Sequence, residues 1–161
     1  MNIKTFIAIA VLLLLAPAGY CSDAPSEAEK FIQFGYELYE KTTSKPEKEI
    51  IETTTNKHNP AQIDQWHTIY YDGVMVKFYR AVSAPKDLLS TITVTSRKIN
   101  MPFGIRIGTK KEAILQRLGT PSKDSVEGLY YNLSAPGYEE SVTFRFSGEF
   151  LIEIQWHYEI D

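Results

Sequence analysis

Two periods alternate along this chain. Between Ser26 and Lys41 apolar side chains recur at helical spacing: Phe31, Phe34, Leu38 and Tyr39 fall at i, i+3, i+7 and i+8 and share one face. Ser26 followed by Glu29 predicts a capping box at the helix start, hydroxyl and carboxylate each accepting from a backbone N–H. Thr42 to Pro46 ends the helix, because the residue before a proline avoids helical backbone. Residues 45–62 are rich in Lys, Glu, Thr, Asn and Pro and read as a long, polar, exposed connection, with Glu49–Thr55 the stretch in it suited to an edge strand.

From Asp64 the period drops to two. Trp66–Tyr71, Asp72-Gly73 and Val74–Arg80 form a hairpin whose Asp-Gly pair supplies the positive φ of a tight turn. Leu88–Arg97 follows as a third strand. Thr109 with Glu112 predicts a second capping box, opening a short helix that turns Ile114, Leu115 and Leu118 inward and stops at Gly119 and Pro121. Three strands close the chain: Gly128–Leu133, Ser141–Phe146 and Phe150–Ile160. The expected fold is α+β in the order α-β-β-β-α-β-β-β, an antiparallel sheet of about six strands with two helices packed on one face. Tyr70-Tyr71-Asp72 is echoed by Tyr130-Tyr131-Asn132, but the helices do not share that offset, so one domain over 19–161 is the default.

The alternation also says which face is free. Ile152, Ile154, Trp156, Tyr158 and Ile160 point one way and Glu153, Gln155, His157 and Glu159 the other; Val142, Phe144 and Phe146, Val74, Val76 and Phe78, and Ile92 and Val94 mark the same core side. Trp66-His67 and Trp156-His157 each read as a core Trp beside a surface His. The wet side then gathers Lys77, Tyr79, Arg97, Tyr130, Arg145, Gln155 and His157. Aromatic rings, guanidinium groups and amides in that mixture are the residue types of protein interfaces. Replacing Tyr79 and Arg145 together is expected to weaken partner capture and to leave the melting temperature nearly unchanged.

Composition fixes the setting. The N-terminus runs Met-Asn-Ile-Lys, an unbroken apolar stretch Phe6–Leu15, then Ala16-Pro17-Ala18, the order of a secretory signal peptide over residues 1–18. The apolar run is about half of what a membrane-spanning helix needs, so no membrane span is expected after processing. Residues 19–25 form a flexible lead-in. Of the 161 residues 17 are basic and 20 acidic, a formal charge of −3, which argues against a nucleic-acid partner because phosphate binding needs clustered cations. Cys21 is the lone cysteine, so the fold has no internal disulfide. It stands where a lipoprotein carries its acylated cysteine, but Tyr20 precedes it where a small residue is wanted, and soluble export is preferred over a lipid anchor.

His58, His67 and His157 stand apart, and no metal-ligand spacing, nucleophile elbow, phosphate loop or dinucleotide loop occurs. The carboxylate pairs Glu139-Glu140 and Glu153–Glu159 have no sequence reason to be buried, which acid/base work requires. No catalytic residue, metal or cofactor is therefore expected.

The stretch Phe103-Gly104-Ile105-Arg106-Ile107-Gly108-Thr109, followed by Glu112, Ile114-Leu115 and Leu118-Gly119-Thr120-Pro121, resembles a signature of exported bacterial domains. These are the β-lactamase-inhibitor-like domains and the small outer-membrane assembly lipoproteins of similar fold. The resemblance implies a sheet with helices on one face and a concave opposite face, or its edges, that contacts another protein; it brings no catalytic residue. The expected function is that of an exported, non-enzymatic binding module, periplasmic or secreted, engaging an envelope protein through the open sheet face. The alternatives are a small-ligand carrier with a pocket lined by Phe31, Phe34, Trp66 and Trp156 between helix and sheet, and a small hydrolase.

Overall fold

The Ser26–Glu29 pair does what its spacing predicts. Ser26 Oγ accepts from the Glu29 N–H at 3.1 Å and Glu29 Oε2 accepts from the Ser26 N–H at 2.6 Å, opening helix α1, Glu27–Lys41. In this computed structural model the described residues are 25–42, 45–83, 86–135 and 138–160. The expected leader, the lead-in up to residue 24, Cys21, and Pro136-Gly137 at the expected aromatic loop tip lie outside them.

After α1 come β1 (Lys48–Thr55), β2 (Ile63–Tyr71), β3 (Val74–Arg80), β4 (Leu88–Val94), a single 3-10 turn at Pro102–Gly104, α2 (Lys111–Leu118), β5 (Lys123–Ser125), β6 (Gly128–Ala135), β7 (Tyr138–Ser147) and β8 (Phe150–Tyr158). The fold is α+β with an antiparallel sheet and two helices, but the sheet has eight strands rather than about six, in the order β1-β2-β3-β4-β8-β7-β6-β5. Both extra strands are at edges. The stretch inside the expected long connection is a full strand, β1, paired with β2 over eight residues, and β5 is a three-residue strand too short to leave a period in the sequence.

This order divides the chain into two units, each a helix followed by a four-strand meander, which meet where β4 and β8 pair antiparallel. The tyrosine echo falls on β2 and β6, the second strand of each unit. Tyr71 and Tyr131 turn to the helix side, Tyr131 with 2% exposure, while Tyr70 and Tyr130 turn to the other side.

α1 is held close to the sheet. Trp156 Nε1 donates to Phe31 O and Tyr158 Oη donates to Ile32 O, both at 2.9 Å, and the Phe31 and Trp156 rings stack 5.4 Å apart. Gly35 permits the approach, because a Cβ there would lie 1.9 Å from Tyr158 Oη. α2 adds Ile114 and Leu118 to the same core and touches α1.

Four expectations need correction. α2 has no second capping box: Thr109 Oγ1 accepts instead from the Arg106 N–H at 3.0 Å, and Lys110, in extended backbone and bridged to Phe150, is the N-cap with no side-chain bond. A register shift between Arg145 and Phe146 moves Leu151 into the core and leaves Ile152 49% exposed, so the core alternation of β8 is Leu151, Ile154, Trp156 and Tyr158, and Ile160 lies beyond the strand. The first Trp-His pair is inverted. The two-residue turn at Asp72-Gly73 fixes His67 opposite Phe78 and Trp66 opposite Tyr79, so His67 shares the core side with Phe78 and is 2% exposed, while Trp66 faces outward. The His67 ring stacks on Phe78 at 4.9 Å, with Glu49 Oε1 2.8 Å from Nδ1 and Gln65 Oε1 3.1 Å from Nε2. Finally, Glu140 is buried, accepting from Tyr36 Oη at 2.6 Å and Gln33 Nε2 at 2.5 Å. No helix among the described residues is long and apolar enough to cross a membrane.

Candidate functional site

Both helices pack on one side of the sheet, and strand register builds the opposite side row by row. The central row reads Lys48, Tyr70, Met75, Thr93, Gln155, Thr143, Tyr130, Lys123, one residue from each strand in order across the sheet. It is nearly the same from either end: Lys then Tyr inward from β1, and Lys then Tyr inward from β5. The β4–β8 junction that relates the two units puts Thr93 and Gln155 at its middle. At a strand spacing of about 4.8 Å, Tyr70 and Tyr130 are roughly 24 Å apart. Thr93 Oγ1 is buried there with no hydrogen-bond partner among the described residues.

The next row is Ile50, Thr68, Lys77, Thr91, His157, Ser141 and Asn132. Beyond it Glu52, Trp66, Tyr79 and Leu88 line up. Lys77 Nζ stands 4.9 Å above the Trp66 ring, and Trp66 meets Tyr79 edge-on at 5.2 Å. A cation over a half-buried Trp is a compact, rigid feature. Sequence reasoning missed Trp66 by assigning the ring to the core on hydrophobicity alone. The signal that finds it is the turn, because a two-residue hairpin at Asp72-Gly73 with Val76 and Phe78 in the core forces Trp66 out.

Of the seven residues picked from the sequence, six are on this face or its margin. Gln155 and Tyr130 are in the central row, Lys77 and His157 in the next, Tyr79 in the third, and Arg145 lies toward the opposite end beside Glu153. Their freedom differs. Arg145 Nη1 pairs with Glu153 Oε1 at 3.1 Å and Tyr130 Oη donates to Glu139 Oε1 at 2.6 Å. Burial, then the Glu139 hydrogen bond, raises the Tyr130 pKa.

Tyr79 is a structural residue. Its hydroxyl donates to Asp64 Oδ2, and fully buried Asp64 also accepts from Asn56 Nδ2 at 2.5 Å, Gln62 Nε2 at 2.8 Å and the Val82 N–H at 3.0 Å. Burial by itself would raise the Asp64 pKa, but the donors together outweigh it and hold the carboxyl well below the usual range. The same bond raises the Tyr79 pKa. Removing Tyr79 takes a donor from this network, so replacing it together with Arg145 is expected to lower stability rather than leave it unchanged.

Arg97 is off the face. It lies in the turn after β4 and, with Arg106, Gly108, Phe150 and Ile152, lines a groove of about 570 Å³ where β4 has ended and the chain at 108–109 takes its place against Leu151. The Gly108 N–H donates to Leu151 O at 2.7 Å and the Leu151 N–H donates to Thr109 O at 2.9 Å. This is what the Gly104–Pro121 motif builds.

The cavity expected of a ligand carrier does not assemble from its four residues. Phe31 and Trp156 are stacked and fully buried, while Trp66 is on the other face. The two buried carboxylates are equally far apart. Asp64 on β2 and Glu140 on β7 are on opposite faces and four strands apart, roughly 19 Å across the sheet alone. Compared with protein-family models, curated proteins and solved structures, the chain matches none.

Proposed function

We propose that the protein is an exported, non-enzymatic binding module, periplasmic or secreted, that engages another protein of the cell envelope through the open face of its sheet. The carrying observation is the central row, in which Tyr70 and Tyr130, each beside a lysine, stand two strands to either side of the β4–β8 junction on the open face. Tyrosines are rigid anchors of binding energy. Trp66 under Lys77 adds an aromatic anchor at one corner. The face spans eight strands, about 34 Å at the usual spacing, a width that suits a protein surface. Export rests on the leader sequence, and the resemblance of the Gly104–Pro121 motif to exported bacterial domains points the same way.

The test is affinity capture from envelope extract of the source cell, with the tagged wild type beside a Tyr70→Ala/Tyr130→Ala variant whose melting temperature is measured in parallel. One stoichiometric protein retained by the wild type and lost by the equally stable variant supports the reading. Retention by both overturns the face as the site, and no retained protein overturns the binding module.

A further inference from the structure

The two edges of the sheet are unequal. β5 ends one side after three residues, whereas β1 runs for eight with unbroken register against β2, no bulge and no proline. Six of the eight β1 residues are exposed, and α1 docks on β8 through Trp156 and Tyr158 and reaches β3 through Tyr39 against Phe78, two strands short of β1. Its ladder is half used. The Asn56 N–H donates to Gln62 O at 2.9 Å in the β1–β2 register, so by alternation Lys48, Ile50, Glu52 and Thr54 bond to β2, while the backbone groups of Glu49, Ile51, Thr53 and Thr55 face outward. A long edge with half its ladder unused is a template for another strand.

Its charges say which strand. An edge protected by repulsion presents like charges to a copy of itself, but β1 carries Lys48 and Glu52 on one face, four residues apart about Ile50. Two antiparallel copies centred on Ile50 put Lys48 opposite Glu52 twice and Ile50 opposite Ile50, with the outward-facing Glu49 and Ile51 as the hydrogen-bonded pairs. Among the described residues neither Lys48 nor Glu52 has an ion-pair partner, and Ile51 is 52% exposed. The Glu49 carboxylate is already held against His67 Nδ1 at 2.8 Å, so it does not repel the incoming strand.

We infer that two copies of this chain pair edge to edge through β1, in that register, into a dimer whose sheets are continuous and whose open faces lie side by side. Only the edge strand is shared, so the contact is at the small end of specific interfaces and self-association is concentration-dependent, with a midpoint between about 1 and 100 μM.

Sedimentation equilibrium of the purified protein across that range tests the inference independently of any envelope partner. The wild type is expected to shift from monomer to dimer. Ile51→Pro, which places the ring where the N–H points outward and removes no β1–β2 bond, is expected to stay monomeric. Lys48→Glu is expected to weaken association about tenfold by turning both cross-strand pairs repulsive, and Lys48→Glu combined with Glu52→Lys is expected to restore it. A wild type that stays monomeric throughout, a dimer that survives Ile51→Pro with circular dichroism unchanged, or a charge swap that fails to rescue overturns the proposal.

Discussion

Substituting Gly35 by Ala isolates what holds α1 on the sheet. In a solvent-facing helix the change stabilises by about 1 kcal/mol through helix propensity. Here the added Cβ would lie 1.9 Å from Tyr158 Oη and 2.9 Å from Trp156 Cδ1, far inside ordinary contact distance. Either α1 retreats or the Tyr158 ring swings, and both break the 2.9 Å bond to Ile32 O. Losing that buried hydrogen bond costs about 1 to 3 kcal/mol, and the crowding against Trp156 costs about 1 to 3 kcal/mol more. Set against the propensity gain, the net destabilisation is about 1 to 5 kcal/mol, or about 2 to 20 °C in melting temperature for a chain of this size. Tyr158→Phe alone costs about 1 kcal/mol, since Ile32 O keeps its place in the helix ladder. The double variant has room where the oxygen was and is expected to cost about 1 to 2 kcal/mol less than the sum of the singles. Urea denaturation of the four proteins measures this. A Gly35→Ala variant as stable as wild type, or strict additivity, would refute the account of the helix dock.

Glu140→Ala deprives Tyr36 and Gln33 of a buried acceptor and is expected to lower stability by about 2 to 4 kcal/mol in the same assay, well beyond an exposed Glu127→Ala control. Asp64, held low by its donors, and Asp87, held low by its hydrogen bonds to Arg80, have depressed folded pKa values, so their stabilisation is complete above about pH 4 and is lost as the pH falls below it. The urea midpoint should therefore hold above about pH 4 and drop as the pH falls below it, and Asp64→Asn should flatten that drop; an unchanged slope sinks the assignment. Burial pushes Tyr131 up to about 12. Its contribution is complete below the ordinary tyrosine value of about 10 and is lost as the pH rises through the folded one, so Tyr131→Phe should shift the alkaline unfolding midpoint upward.

Where apolar alternation meets a defined turn, the sequence is readable to the residue. The Asp72-Gly73 hairpin, the Ser26 cap and the Gly119 stop, with φ +79, stand where spacing puts them. The misses have common physical causes. The stretch suited to an edge strand, Glu49–Thr55, is one, but with Lys48, Glu49, Glu52 and three threonines and no core to face it carries no hydrophobic period that would count it into the sheet. The shift at Arg145–Phe146 swaps Leu151 for Ile152 without any change in residue character. Trp66 and His67 exchanged places because ring size was weighted above cross-strand register, although the hairpin already held the answer. The site was legible in part. Alternation found Gln155, Tyr130, Lys77 and His157, but single-strand patterns cannot show that they fall in rows, nor that the Tyr79 hydroxyl is occupied by Asp64.

The two-unit arrangement explains why the rows form at all. When two helix-and-meander units join by antiparallel pairing of their last strands, corresponding strands fall at equal distances on either side of the β4–β8 junction. A residue on β2 and its counterpart on β6 then occupy the same row, which is where Tyr70 and Tyr130 stand, and the edge lysines Lys48 and Lys123 follow. The units diverge where their surroundings differ. Unit one has the longer helix, Glu27–Lys41, and the longer edge strand, while unit two has an eight-residue helix and a three-residue edge. Near-symmetry at the centre therefore sets Tyr70 and Tyr130 at equal distances from the β4–β8 junction, and asymmetry at the edges leaves β1 as the longer border.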